Sequence, residues 1–224
     1  FAYRLEAKLY NKSELITGQT QGICKSINQR FPHKKTYWLP NGVDLSNFTR
    51  EIPASDIEEV RRHLALKGNE KIIVTTSRLV PKNGLDAVIR ALAIIRKKEK
   101  KLPVKFLILG VGPEAHNLKD LARSLGVLDD IIFAGEFSHQ NLLKYLKLAE
   151  VFVRPSRSEG MGNSFVEAMA AGIPVIATPV GGIAASVSGD TGHVRPVLLD
   201  FGWEVVMSSP SSRFGLRLPL LFLD

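Results

Sequence analysis

Between Pro155 and Ala170 (PSRSEGMGNSFVEAMA) two carboxylates, Glu159 and Glu167, stand eight positions apart with Gly160, Met161, Gly162 and Asn163 between them. Glycines leave the backbone accessible, and a helix that starts just after them aims bare N–H groups and a partial positive charge outward, which suits phosphate. One carboxylate in such a place can accept both hydroxyls of a ribose, and the other can hold a sugar hydroxyl. Ser164 and Glu167 also have the Ser-x-x-Glu spacing of a capping box, which would commit Glu167 to the amides of its own helix. The capping box leaves Glu159, Gly160, Gly162 and Asn163 unexplained.

Two further loops carry chemistry. In Thr76–Gly84 (TSRLVPKNG), Arg78 supplies a planar fork of donors and Lys82 a point charge, a pair suited to a diphosphate. Gly110–Ala115 (GVGPEA) fits the glycine fingerprint of a dinucleotide site. That fingerprint belongs on the first strand of its sheet, however, and the acidic residues about twenty positions on, Asp129 and Asp130, fall before the next strand instead of at its far end. A glycine pair that allows a tight strand-to-helix turn, with Pro113 at the first helical position, accounts for the residues equally well. At the strand ends of one sheet, the three loops are expected to line a single crevice with amides, two cations and two carboxylates. That set describes a sugar-nucleotide site better than a redox one.

The elements that would position these loops are legible from Lys71 onward, where short apolar runs alternate with segments of helical period. The strands expected are Lys71–Ser77, Val104–Leu109, Asp130–Ala134, Val151–Arg154 and Ile173–Thr178. Between the first two, Leu85, Val88, Ile89, Leu92 and Ile95 fall on one helical face, and Leu118, Leu121, Ala122 and Leu125 repeat the pattern before Gly126. Strands this apolar are buried on both faces, which predicts an α/β fold: a Rossmann-like, doubly wound parallel sheet with its crevice at the carboxyl ends of the strands. Residues 1–48 read as the end of a different, amino-terminal unit with an interdomain turn, holding strands at Glu14–Thr17 and Thr36–Leu39 and a helix at Thr20–Phe31. Two strands and one helix cannot bury all their own faces, so this piece is expected to lean on something beyond it. Residues 49–195 are the expected ligand-binding domain. Residues 196–224 show no convincing period and stay unassigned as an atypical tail.

A chain of 224 residues, 45% hydrophobic and 23% charged, can fill a core, which excludes disorder and fibrous repeats. Its formal charge of +8 favours anionic partners without choosing among them. The densest basic run, Arg96–Lys101 (RKKEKK), closes a helix and reads as a solvated helix end. The single Cys24 allows no intrachain disulfide or thiolate metal cage, so a reducing cytoplasm is the natural compartment. No apolar run reaches the ~20 residues of a membrane-spanning helix, and no targeting signal is read.

The motifs Asn41–Gly42–Val43–Asp44, Ser77–Arg78–Leu79–Val80–Pro81, Gly110-x-Gly112–Pro113–Glu114, Glu159–Gly160-x-Gly162–Asn163, Glu167–Ala168–Met169–Ala170 and Gly172-x-Pro174–Val175 together resemble the group 1 (family 4) glycosyltransferases of GT-B fold. The resemblance runs from Glu14 to about Gly192 in order. It implies that the chain is the donor-binding half of a two-domain GT-B fold plus a remnant of the amino-terminal acceptor domain. It further implies a retaining, hexosyltransferase-type enzyme moving a sugar from a UDP- or GDP-sugar to a glycan or lipid-linked acceptor, in cell-surface polysaccharide or glycolipid synthesis. Under it Arg78 and Lys82 neutralise the donor diphosphate and Glu167 binds the ribose. Glu159, the catalytic carboxylate, holds the transferred sugar with the Gly160, Met161, Gly162 and Asn163 segment. No cofactor is implied, and no Asp-x-Asp motif occurs, in keeping with metal-independent transfer. Asn83 stands where the family has its lysine, with Lys82 just before it, and Val111 stands where the family has Asp. His33, His63 and His116 match no catalytic position, and His139, after Ser138, reads as a neighbour of a helix cap. Partners are then a nucleotide sugar and its acceptor and no nucleic acid, with a cytoplasmic location that extends to peripheral association with the inner face of a membrane. Two other readings stay open: a nucleotide-sugar-binding module silent without its acceptor half, and an NAD(P)-binding oxidoreductase domain using the Gly110 loop.

Overall fold

The apolar runs fold as strands whose side chains are taken up by helices on both sides. A computed structural model describes residues 2–183, 195–199 and 203–208. In the amino-terminal part, helix α1 (Ala2–Lys12), strand β1 (Ile16–Gly18), helix α2 (Gln21–Arg30) and strand β2 (Thr36–Trp38) form a small unit in which β1 and β2 pair in parallel. Thr20 caps α2, its hydroxyl accepting from the Ile23 amide at 3.1 Å. Ile16, Ile27 and Phe31 close a minor core against Ala7 and Tyr10. Tyr37, Trp38 and Leu39 stay at least half exposed, as expected for a unit this thin. Helix α1 was not expected from the sequence.

A short helix α3 (Ser46–Thr49) and helix α4 (Ala54–His63) lead into the main sheet. Its parallel strands are β3 (Lys71–Thr76), β4 (Val104–Leu109), β5 (Ile131–Gly135), β6 (Val151–Arg154) and β7 (Val175–Ala177). They alternate with α5 (Leu85–Lys98), α6 (Ala115–Ser124), α7 (Leu142–Lys147) and α8 (Asn163–Ala170). Each observed strand lies within a residue or two of its expected bounds. Strand β4 shows why the sheet is doubly wound: Phe106 and Ile108 pack with α5 and α6, while Leu107 and Leu109 pack with α7 and α8. All four are fully buried, and each contributes about 1.5–3 kcal/mol by leaving water. The fold is thus the expected Rossmann-like parallel α/β sheet, in the order β5-β4-β3-β6-β7.

Two findings depart from expectation. The segment read as a tail adds β8 (Arg195–Leu199) and β9 (Trp203–Ser208), an antiparallel pair joined to the sheet through β9 and β7. Pro196, which lacks an amide hydrogen, falls in the edge strand β8 where that lack is tolerated. The rest of the expected tail lies outside the described residues. The RKKEKK run is also not wholly a solvated end. Arg96 forks onto Asp130, Nε to Oδ2 at 2.8 Å and Nη2 to Oδ1 at 2.6 Å, and donates to the Leu102 carbonyl at 2.9 Å. The rest of the run, Lys97 to Lys101, is exposed.

Candidate functional site

The chain runs outward from β3 through β4 to β5, then returns to place β6 on the other side of β3. Loops leaving β3 and β6 therefore diverge, and a crevice opens between them at the carboxyl ends of the strands. The loop after β3 carries Arg78 and Lys82, and the loop after β6 carries Glu159. Gly84, with φ +70°, lets these loops touch: a Cβ there would lie 2.0 Å from the Pro155 carbonyl oxygen. Buried Asn83 braces the first loop from inside, its Nδ2 donating to Ser77 Oγ at 2.8 Å and to the Arg78 carbonyl at 2.7 Å. The Arg157 amide donates to the Lys82 carbonyl at 2.7 Å, and its guanidinium reaches Asp86 at 2.6 Å. Asn83, at the position where the resemblance expects a lysine, is thus an internal brace.

A cavity of about 430 Å³ occupies the crevice. Arg78, Lys82, Asn83, Arg154, Glu159, Gly162, Asn163 and Ser164 take part in its lining. Arg78 and Lys82 are exposed, and neither makes an ion pair among the described residues. Opposite them Glu159 is largely buried. Its Oε2 accepts from Arg154 Nη2 at 2.8 Å and its Oε1 from the Gly160 amide at 3.2 Å. Arg154, the last residue of β6, is only 6% exposed, and its guanidinium lies 4.4 Å from the centre of the Phe165 ring. Burial pulls this guanidinium below its ordinary pKa, while the charges of Glu159 and Glu167 push it back up. Gly162 has φ +71° and precedes α8; a Cβ there would meet Phe165 at 2.6 Å and Arg154 Nη2 at 3.1 Å. A glycine is required on both counts.

Gly160, Met161 and Glu167 lie beside this cavity and not on its lining. The Met161 sulfur accepts from the Asn41 amide at 2.9 Å, and Asn41 Nδ2 donates to Asn163 Oδ1 at 2.7 Å, so the amino-terminal segment holds the Glu159 loop directly. The Gly160 carbonyl accepts from the Gly182 amide at 2.6 Å. Gly182 fits between that carbonyl and Thr20, where a Cβ would be 2.6 Å and 2.3 Å away respectively. The capping box does not form. Helix α8 begins at Asn163 with Gly162 at its cap, no side chain caps it, and Ser164 Oγ is buried without a partner. Glu167 instead receives His139 Nε2 at 3.0 Å on Oε1. His139, expected as a mere cap neighbour, therefore faces one of the two carboxylates. The third loop does not share the crevice: a Cβ on Gly110 would lie 2.0 Å from the Ser77 carbonyl and one on Gly112 2.4 Å from that of Leu79. These glycines serve close backbone packing between the loops after β3 and β4.

Sequence reasoning gave no place beside the Glu159 loop or Glu167 to Arg154, His139, Asn41 or Gly182. An arginine ending an apolar strand was a usable signal for the first. The others are brought in by the fold from distant parts of the chain. Among the described residues no group of three or more His, Cys, Asp and Glu is gathered as for a metal, and no helix is long and apolar enough to cross a membrane.

Residues 56–194 match the family model of the glycosyl transferases group 1. The alpha-monoglucosyldiacylglycerol synthase of Streptococcus pneumoniae is 35% identical over 140 residues, which is 62% of this chain and 31% of that protein. The GDP-mannose-dependent alpha-(1-6)-phosphatidylinositol monomannoside mannosyltransferase of Mycobacterium tuberculosis is 37% identical over 163 residues, 70% of this chain and 41% of its own length. The chain thus spans less than half the length of these two relatives. Among solved structures, Anabaena HepE in complex with UDP and glucose superposes with a TM-score of 0.71 at 24% identity, over 83% of this chain and 50% of that one. At that identity the likeness speaks for the fold, which is that of the GT-B glycosyltransferases.

Proposed function

This chain belongs to the glycosyl transferases of group 1, and from that premise we propose that it forms the donor-binding half of a retaining enzyme that moves a hexose from a UDP- or GDP-sugar to a glycan or lipid-linked acceptor. The observation that carries the reading is the cavity at the β3–β6 switch point, where two unpaired cations, Arg78 and Lys82, stand across from the carboxylate of Glu159. Transfer leaves a nucleoside diphosphate with growing negative charge, and preset cations in a cleft stabilise that charge without reorganising. Arg78 and Lys82 take the diphosphate. Glu159, with Gly160, Met161, Gly162 and Asn163, takes hydroxyls of the sugar. Glu167, with His139 beside it, takes the ribose.

Support for the donor class comes from the names of the relatives, one GDP-mannose-dependent, and from the structural neighbour that binds UDP. The acceptor class rests on the same names, which point to diacylglycerol and phosphatidylinositol lipids. On this reading the protein works at the cytoplasmic face of a membrane and needs no metal, because the charge of the leaving group is met by side chains. Calorimetric titration with UDP, GDP and NADH tests it. One nucleoside diphosphate is expected to bind and NADH to fail; binding of NADH alone would overturn the assignment in favour of a redox domain. A silent binding module would bind the diphosphate and show no transfer to any lipid acceptor.

A further inference from the structure

Arg154 ends a strand whose other residues are Val151, Phe152 and Val153, and at 6% exposure it is buried about as deeply as Val151 at 5%. Removing a guanidinium from water costs several kcal/mol unless good partners replace the solvent. Here the partners are specific in position. Nη1 donates to the Thr76 carbonyl at 3.2 Å, the last residue of β3. Nη2 donates to Glu159 Oε2 at 2.8 Å, and the guanidinium carbon lies 4.4 Å from the centre of the Phe165 ring on α8. One rigid fork therefore ties Glu159 to both strands that flank the crevice and to the helix that follows it. Apart from the amide of the adjacent Gly160, nothing else among the described residues fixes the Glu159 carboxylate. A glutamate has three rotatable bonds, and an unanchored one at a cleft mouth would sample several positions.

Resting on the reading above, we propose that Arg154 is a positioning residue: it holds the Glu159 carboxylate at the place where the transferred sugar is met, acting through Glu159 and not on the donor diphosphate. Misplacing a reacting-site group by about 1 Å costs on the order of 100-fold in rate, so Arg154→Met should lower turnover by about that factor. It should also weaken UDP or GDP binding by about tenfold, because an uncompensated carboxylate then faces the diphosphate.

A double-mutant cycle with Glu159→Gln tests this in the intact protein, reading turnover and nucleoside-diphosphate affinity separately. If Arg154 acts through Glu159, adding Arg154→Met to Glu159→Gln changes both by less than about threefold. Equal affinity losses in the two backgrounds would mean that Arg154 touches the diphosphate itself, and would overturn the proposal. Should Arg154→Met fail to fold, Arg154→Lys keeps the charge but cannot reach Thr76 and Glu159 together. It is expected to bind the nucleotide like the parent and to turn over at least about tenfold more slowly; full turnover in this variant would also overturn it. A parent protein that binds neither UDP nor GDP would instead overturn the functional reading, and the proposal with it.

Discussion

Gly84 and Gly126 make a matched pair. Both adopt nearly the same left-handed conformation, with φ +70° and +71°. A Cβ on Gly84 would meet the Pro155 carbonyl oxygen at 2.0 Å and its carbon at 2.9 Å, whereas a Cβ on Gly126 would meet nothing within 4 Å. Alanine in this conformation costs about 1–2 kcal/mol, offset by about 0.4–1 kcal/mol through the stiffer unfolded chain. Gly126→Ala should therefore lose about 1 kcal/mol in all. Gly84→Ala bears that cost and must also push apart two backbone segments by more than an ångström, an overpacking worth roughly 1–3 kcal/mol more. Urea unfolding of the two variants, with unchanged dependence on denaturant, gives the difference directly. Because Gly84 closes the loop that carries Arg78 and Lys82, Gly84→Ala should also weaken UDP or GDP binding while Gly126→Ala leaves it intact. Equal stability losses in the two variants would refute the argument that the loops after β3 and β6 are joined at this point.

Arg78→Ala should weaken nucleoside-diphosphate affinity at least about tenfold, since charge-assisted contacts contribute ~1.5–3 kcal/mol; unchanged affinity by calorimetry would remove Arg78 from the site. Glu159→Gln should lower turnover far more than it lowers donor binding, and equal losses would mark the side chain as purely structural. Transfer by the intact protein should survive a chelator, as measured by product formation with and without EDTA. Phe152→Ala should lower the unfolding free energy by about 3–5 kcal/mol, because Phe152 is fully buried with its ring edge-on to Phe165 at 5.5 Å.

The site was partly legible before the fold was known, and the reasons differ by residue. Glu159, Gly162 and Asn163 are close in sequence and flank a helix start, so their proximity is local and readable. Arg78 and Lys82 share a short turn that Pro81 and Gly84 advertise. The Ser164–Glu167 spacing also fitted a capping box that does not form, because such a box needs a cap residue in extended conformation and the chain uses left-handed Gly162 there instead. The expectation that the Gly110 loop shares the crevice failed for a related reason. Glycines that admit a phosphate and glycines that admit a neighbouring backbone look alike in one dimension, and here Ser77 and Leu79 fill the space.

The sequence alone determined the elements along the chain and their layering, because apolar runs bounded by glycine and proline fold as strands wherever helices can cover both faces. It also determined which loops bear charge. Tertiary structure alone decided which of those charges face a cavity and which are neutralised: Arg96 is tied to Asp130, Arg157 to Asp86 and Arg154 to Glu159, whereas Arg78 and Lys82 line the cavity with no ion pair among the described residues. The physical reason is that an ion pair depends on a few ångströms between residues that the chain separates by five to more than seventy positions, and only the packed sheet sets those distances.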